Sequence, residues 1–193
     1  EGPMHTAPSE ALANLHIPKS FNFKKIYSAA YPDLITGQGR RKPQVNQSII
    51  DAINQGTLFL NYFGHGSPEL WAHEYIFEKS VALPQLHNDK YFFLGAATCD
   101  FGYFDIPNYQ SAAEAITFLP NSGAIASLTA SRLVFAGENE RLMHDFADEL
   151  FMRGRDTLNL GIPIGRAAMD SKTTSQNDQK YNILGDPTLR LLV

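Results

Sequence analysis

Two uncharged runs, TLFLNYFGHG at residues 57–66 and YFFLGAATC at residues 91–99, constrain the fold more than any other part of this chain. Each is built from aromatic, aliphatic and β-branched residues, the pattern of a strand covered on both faces in a parallel sheet. The segment 67–90 between them is long enough for the crossover that parallel neighbours require. Each run also ends in reactive chemistry. The first stops at His65 between two glycines, the second at Cys99, the only cysteine in the chain. Functional groups of an open α/β sheet gather where the carboxyl ends of the strands meet the loops, so two adjacent parallel strands deliver His65 and Cys99 to one rim. That is a candidate cysteine nucleophile with its base.

The flanking sequence fits the same architecture. Residues 44–55 carry Val45, Ile49, Ile50, Ala52 and Ile53 at helical spacing, with Asn46 as candidate N-cap and Gly56 at the far end. Residues 24–29 (KKIYSA), 124–129 (AIASLT) and 188–193 read as further strands, and residues 111–118 and 164–169 as short helices. Residues 138–153, with Leu142, Phe146, Leu150 and Phe151 on one stripe, read as an amphipathic helix. Pro84 limits any helix within 69–86 to the residues before it. Residues 36–43 and 172–180 read as loops. The first twenty-odd residues are polar and interrupted by Pro3, Pro8 and Pro18, which suggests an extended lead-in over 1–22 with a short helix at 10–15. One α/β unit, 23–193, follows. The alternation of strands and helices argues for a mostly parallel sheet with helices on both faces.

Composition narrows the classes. A chain of 193 residues that is 44% hydrophobic and 19% charged suits one domain with a sizeable core. A net charge of -4 with scattered Lys and Arg offers no face for nucleic acid. No apolar run is long enough to span a bilayer, and no signal peptide opens the chain. The start at Glu1-Gly2-Pro3-Met4 suggests a segment of a longer precursor, whose address would lie elsewhere. A single cysteine forms no internal disulfide and says nothing of compartment.

Thiol chemistry needs three things. A histidine must lower the thiol pKa or take its proton, and His65 is the candidate. A developing oxyanion needs backbone N–H groups, and those of Gly66 and Cys99 qualify, the former on a residue that lets a carbonyl approach closely. Loops after the other strands, such as 130–135, would line a substrate pocket. Glu74 either orients His65 or begins a helix. Blander readings stand beside these: a lone cysteine is commonly buried filling, and a glycine-flanked turn can serve only to leave a strand. A metal centre of His65, His73, His87 and Cys99 lacks the short ligand spacings of known zinc motifs. Asp186, between Gly185 and Pro187, reads as a turn former, and His5, His16 and His144 as surface or capping residues.

Taken together, Asn61-Tyr62-Phe63-Gly64-His65-Gly66-Ser67 with Trp71 nearby, Ala97-Thr98-Cys99-Asp100-Phe101, Gly123-Ala124-Ile125-Ala126 and Leu184-Gly185-Asp186-Pro187 resemble, in order and spacing, the gingipain family of cysteine peptidases, peptidase family C25. Phe104-Asp105-Ile106-Pro107, and His73-Glu74 after Trp71, look closer to the sortase-type peptidases of the type IX secretion system. The resemblance implies a caspase-like α/β fold, a three-layer sandwich with a mostly parallel sheet flanked by helices. It implies His65 and Cys99 as the catalytic dyad, the Gly66 and Cys99 amides as the oxyanion hole, and the loop carrying Ser131, Arg132 and Leu133 as the substrate pocket. Where gingipains wall that pocket with tryptophan the matching residue here is Leu133, a departure that leaves their basic specificity outside what the resemblance implies. A polypeptide substrate, a first subdomain of the same protein as partner, and a secreted or cell-surface address are implied too. So is calcium, for which no ligands can be matched residue by residue. The implied activity is that of a thiol endopeptidase working through a thioester. In the sortase-type case an amine intercepts that thioester and secreted cargo is joined to a surface glycolipid. The competing class is a non-catalytic interaction module that keeps the peptidase fold.

Overall fold

The computed structural model describes residues 4–37, 39–153 and 161–191. The chain enters through α1 (Thr6–Ala11), continued by a wider π-type turn over Leu12–His16. A small hairpin, β1 (Leu34–Thr36) and β2 (Gly39–Arg41), precedes α2 (Pro43–Asn54), which feeds β3 (Phe59–Phe63). A second hairpin, β4 (Leu70–Trp71) with β5 (Phe77–Glu78), and one helical turn, α3 (Lys79–Ala82), lead to β6 (Phe92–Ala97). The remaining elements are α4 (Ala112–Thr117), β7 (Ala124–Ala130), α5 (Ala136–Ala147), α6 (Ile164–Asp170) and β8 (Tyr181–Gly185).

The main sheet has the order β3-β6-β7-β8, with β3, β6 and β7 parallel and β8 antiparallel to β7. Every residue of β6 is buried, because helices cover both faces of the sheet. On one face α2, α4 and the β4–β5 hairpin pack around Leu94, Ala96, Phe101 and Trp71. On the other, α5, α6 and the N-terminal helical segment pack around Phe93, Ala97, Leu128 and Tyr181. Burying a phenylalanine or leucine side chain fully contributes about 1.5–3 kcal/mol, so β6 alone anchors both layers. Small residues make that possible: a Cβ on Gly95 would sit 3.1 Å from the Phe59 ring.

The sheet ends at β3. The Leu58 carbonyl accepts from Phe93 N–H (2.9 Å) and Gly64 N–H donates to the Ala97 carbonyl (3.4 Å), so even-numbered residues of this run face β6. The main-chain groups of Phe59, Asn61 and Phe63 point to the open edge, where no partner meets them among the described residues. Beyond it lies a cavity of 670 Å³, walled on the far side by residues 22–28. The strand expected at 24–29 therefore does not form. Residues 24–27 join no strand, and Ser28–Ala30 is a 3-10 turn. Lys24 and Lys25 are exposed, Lys25 reaching Glu10 at 2.7 Å, which leaves too little apolar surface to hold the segment against β3.

Other expectations are corrected in detail. The lead-in over 1–22 is helical from Thr6 to His16, because Leu12 and Ile17 are buried in the α5-side core. α2 starts at Pro43 with Lys42 as its N-cap, whereas Asn46 is buried inside the helix; proline's fixed φ suits the first helical turn. Residues 36–43 include the β1–β2 hairpin and the start of α2. α5 begins at Ala136 and gives way to π-type turns over Asp148–Arg153. The closing strand is Tyr181–Gly185 and not 188–193: Asp186 accepts from the Thr188 N–H (2.8 Å) and hydroxyl (2.7 Å) in a turn that ends it. Residues 192–193 lie outside the described residues.

The polar loop ahead of β8 is held by Asp178, whose side chain is almost wholly buried. Burial raises its pKa, but hydrogen bonds from the Thr173 N–H and hydroxyl and the Arg141 guanidinium outweigh burial and hold it below the usual carboxylate range. A depressed carboxyl pKa stabilises the fold above the unfolded-state value and loses that contribution as pH falls through the folded one. Asp178→Asn is expected to lower stability by about 3 kcal/mol at neutral pH, since it leaves Arg141 without its buried partner. In urea titrations the gap from wild type should narrow steadily as the pH falls below about 4.

Candidate active site

The β3–β6 register places the two candidate groups. Phe63 and Ala97 are cross-strand partners, and both contribute to the α5-side core. His65 and Cys99 lie two residues beyond each strand end, where the chain bends (Thr98 N–H donates to the Ala96 carbonyl at 3.0 Å), so both stand at the carboxyl rim of adjacent parallel strands. His65 is exposed and Cys99 half-buried, so neither is sealed in aliphatic packing.

The glycines around His65 are required by what packs on them. A Cβ on Gly64 would lie 2.1 Å from the Tyr62 hydroxyl, and one on Gly66 would lie 2.4 Å from Thr98 Oγ1. Tyr62 stacks on Trp71 (ring centroids 4.3 Å) and donates its hydroxyl to the His65 carbonyl at 2.8 Å. The Ala72 N–H donates to the same carbonyl at 2.8 Å. The histidine backbone is thus pinned by the strand before it and the hairpin after it. Its ring lies between those of His5 (5.2 Å) and His73 (5.7 Å). From the hairpin it is His73 that is brought against His65, while the Glu74 carbonyl accepts from Lys42 N–H at 3.0 Å. His5, read from sequence as a surface or capping residue, stands at the N-cap of α1 and reaches the site because α1 packs beside β3.

The sulfur has its own neighbours. Val134 N–H donates to Cys99 Sγ at 3.4 Å, and the thiol can donate to the Val134 carbonyl at 3.6 Å. Tyr181 lies behind; burial first, then the nearby Cys99 and Asp178, hold its phenol well above its usual pKa. Asp100 follows in the left-handed region (φ 55°), a conformation costly for a residue with a side chain. It is held there by its N–H to the Arg132 carbonyl (3.3 Å) and by Tyr103 N–H to its own carbonyl (3.1 Å). Burial raises the Asp100 carboxyl pKa, partly offset by Arg132.

No hydrogen-bond acceptor meets the N–H groups of Gly66 and Cys99 among the described residues. Of the expected pocket residues, Ser131 is buried and tied to β8, its N–H (2.9 Å) and hydroxyl (3.1 Å) both donating to the Lys180 carbonyl. Arg132 is committed to a two-point pair with Asp105 (2.9 and 2.5 Å) and lies over the Tyr103 ring. Leu133 and Phe135, on either side of the residue that touches the sulfur, are 69% and 61% exposed, so the free surface beside Cys99 is apolar. The cavity beside β3 is lined by neither His65 nor Cys99.

His87 sits on the loop that enters β6, at the opposite end of the sheet from Cys99, so the His65, His73, His87 and Cys99 metal set is not assembled. Among the described residues no three His, Cys, Asp or Glu side chains converge as a metal-binding group.

The model of peptidase family C25 matches residues 4–192. The chain belongs to peptidase family C25. Its fold is also that of solved gingipain structures. The Arg-specific cysteine proteinase gingipain R (RgpB) superposes with a TM-score of 0.65 at 23% identity, over 77% of this chain and 36% of that one. A complex of the pro- and mature domains of Porphyromonas gingivalis RgpB gives 0.63 at 22% identity, over 76% and 37%. A structure described only as a protease gives 0.60 at 21%, over 73% and 37%. These likenesses bear out the caspase-like α/β architecture with its mostly parallel sheet. The chain spans little more than a third of the solved chains it matches. No curated protein matches it.

Within this family member, Gly66→Ala should force the loop off Thr98 and move the candidate oxyanion amide with it. The expected loss is about 1–3 kcal/mol, read as a lowered midpoint in thermal unfolding. A Gly66→Ala protein as stable as wild type would show that the close approach is not required.

Proposed function

We propose that this chain carries the catalytic centre of a cysteine endopeptidase, with Cys99 as nucleophile and His65 as its base and acid. The observation that carries the reading is a half-buried sulfur just beyond the end of β6 that accepts a main-chain N–H, with an exposed histidine just beyond the end of the adjacent parallel strand. Membership of peptidase family C25 supports it. The Cys99 thiolate adds to the carbonyl carbon of the scissile peptide. The N–H groups of Gly66 and Cys99 hold the resulting oxyanion. His65 gives its proton to the leaving amine as the C–N bond breaks, leaving a thioester on Cys99. Water, deprotonated by His65, then adds to the thioester and releases the new carboxylate with the thiolate.

A second reading concerns the fate of that thioester. Phe104-Asp105-Ile106-Pro107 and His73-Glu74 resemble the sortase-type peptidases of the type IX secretion system, and Asp105 is the residue that pins Arg132 beside the pocket loop. On this reading an amine displaces sulfur in place of water, and secreted cargo is joined to a surface glycolipid. Hydrolysis and transfer share one acyl-enzyme. We infer a secreted or cell-surface setting from the same resemblance. Among the described residues no helix is long and apolar enough to cross a membrane. The fraction of the gingipain chains spanned makes a first subdomain of the same protein the proposed structural partner.

Alkylation tests the dyad without knowledge of the substrate. Cys99 should react with iodoacetamide at mildly acidic pH, and His65→Ala should slow it by about tenfold or more. A wild-type thiol that reacts only as an ordinary one, at a rate His65→Ala leaves unchanged, would instead mark a non-catalytic module with the peptidase fold. Peptide-library cleavage followed by mass spectrometry should lose about a thousandfold in rate in Cys99→Ala. An added amine appearing on the new carboxyl terminus would identify transfer.

A further inference from the structure

The loop between α6 and β8 is a polar stretch with no part in the chemistry described above, yet its side chains reach the peptide units that contact the sulfur. Asn177 is wholly buried. Its side-chain amide pairs with both main-chain groups of Phe135, accepting from the N–H at 3.1 Å and donating to the carbonyl at 2.8 Å. Its second amide hydrogen goes to Asn139 Oδ1 (2.9 Å), which also accepts from the Tyr181 hydroxyl (2.8 Å). The Asn177 N–H donates to Glu138 Oε2 at 3.0 Å. Every donor and the acceptor of this amide is thereby used, which fixes the loop rigidly.

Lys180 completes the grip. Its ammonium donates to the Leu133 carbonyl at 2.8 Å and lies over the Phe135 ring. The two peptide planes that flank Val134 are therefore each held twice. One has its carbonyl on Lys180 and its N–H on Cys99 Sγ; the other has its carbonyl facing the sulfur and its N–H on Asn177.

We propose that Asn177, assisted by Lys180, is a positioning residue that aims the Val134 N–H at the Cys99 sulfur and so favours its thiolate. The inference rests on Cys99 being the nucleophile. The sign follows from charge. A hydrogen bond from an N–H to a thiolate is charge-assisted and about twice as strong as the neutral S–H to carbonyl contact that competes with it. A cation on the Leu133 carbonyl polarises the same peptide and strengthens its N–H as a donor. Releasing the loop removes more from the thiolate than from the thiol.

The test is the pH dependence of Cys99 alkylation by iodoacetamide in the full chain. The charged and titratable groups around the sulfur are His65, Asp100, Arg132, Lys180, Glu138, Asp178 and Tyr181, and Asn177→Ala leaves all of them in place. Its midpoint should move to higher pH by roughly one unit, which slows alkylation below both midpoints about tenfold. Lys180→Met, at a half-buried position, should move it the same way by about half as much, and Lys180→Arg should restore it. An Asn177→Ala protein with native near-ultraviolet circular dichroism and the wild-type profile would overturn the inference. If that variant does not fold, a Lys180→Met profile identical to wild type overturns it instead. Failure of the peptidase reading would look different: the wild-type thiol itself would be ordinary and indifferent to His65→Ala.

Discussion

The structure depends on the parallel pairing of β3 with β6. β6 is buried along its whole length, and its partner strands can reach it only through connections that pass over one face of the sheet or the other. Those connections supply the covering helices, so closing the β3–β6 ladder assembles the hydrophobic layers as well. Register follows from the same requirement. A slip of one residue would turn Phe63 or Ala97 out of the α5-side core and shift the point at which His65 or Cys99 leaves the sheet. Core packing and site geometry are one constraint here.

Around that rim, polar interactions hold backbone more than side chains. The His65 carbonyl accepts from Tyr62 and Ala72, the Asp100 N–H is held by Arg132, and Val134 meets the sulfur with its main chain. Arg132 and Asp105 join the loop after β6 to the loop after β7, while Asn177 and Lys180 join the latter to the approach to β8. Three segments far apart in sequence are cross-linked within a few residues of Cys99. Such a scaffold suits a reaction in which the charge develops on an oxygen and not on the protein, since the donors need not move when it does.

The strands that bear chemistry were legible in the sequence because long uncharged runs admit few readings, and the crossover between them admits one handedness. α4 was legible as a short helix at 111–118, where the structure adds a Ser111–Glu114 capping box, and the α-helix before Pro84 stops at Ala82 as proline requires. The misplaced strands have a common cause. Residues 24–29 and 188–193 have the composition of strands, but pairing is a tertiary property that local composition does not carry. The tail turns aside at Asp186, and Tyr181–Gly185, whose Asn182 and Gly185 dilute its apolar character, takes the place beside β7. Within the site, His65 and Cys99 could be named from their positions at strand ends. Val134 could not, since a backbone N–H leaves no mark on residue type, and Asn177 was hidden in a loop whose polarity reads as solvent contact. His5 was separated from His65 by sixty residues of sequence and brought back only by the packing of Leu12 and Ile17.

The open margin of β3 has a consequence for the rim chemistry. Phe59, Asn61 and Phe63 turn their main-chain groups to an unfilled space, and that row ends two residues short of the imidazole. A polypeptide laid along the row would lengthen the sheet and stiffen the very segment from which His65 projects. Adding a neighbour to the fold and shifting the proposed base would then be a single event, transmitted through main-chain hydrogen bonds with no change to any residue at the site.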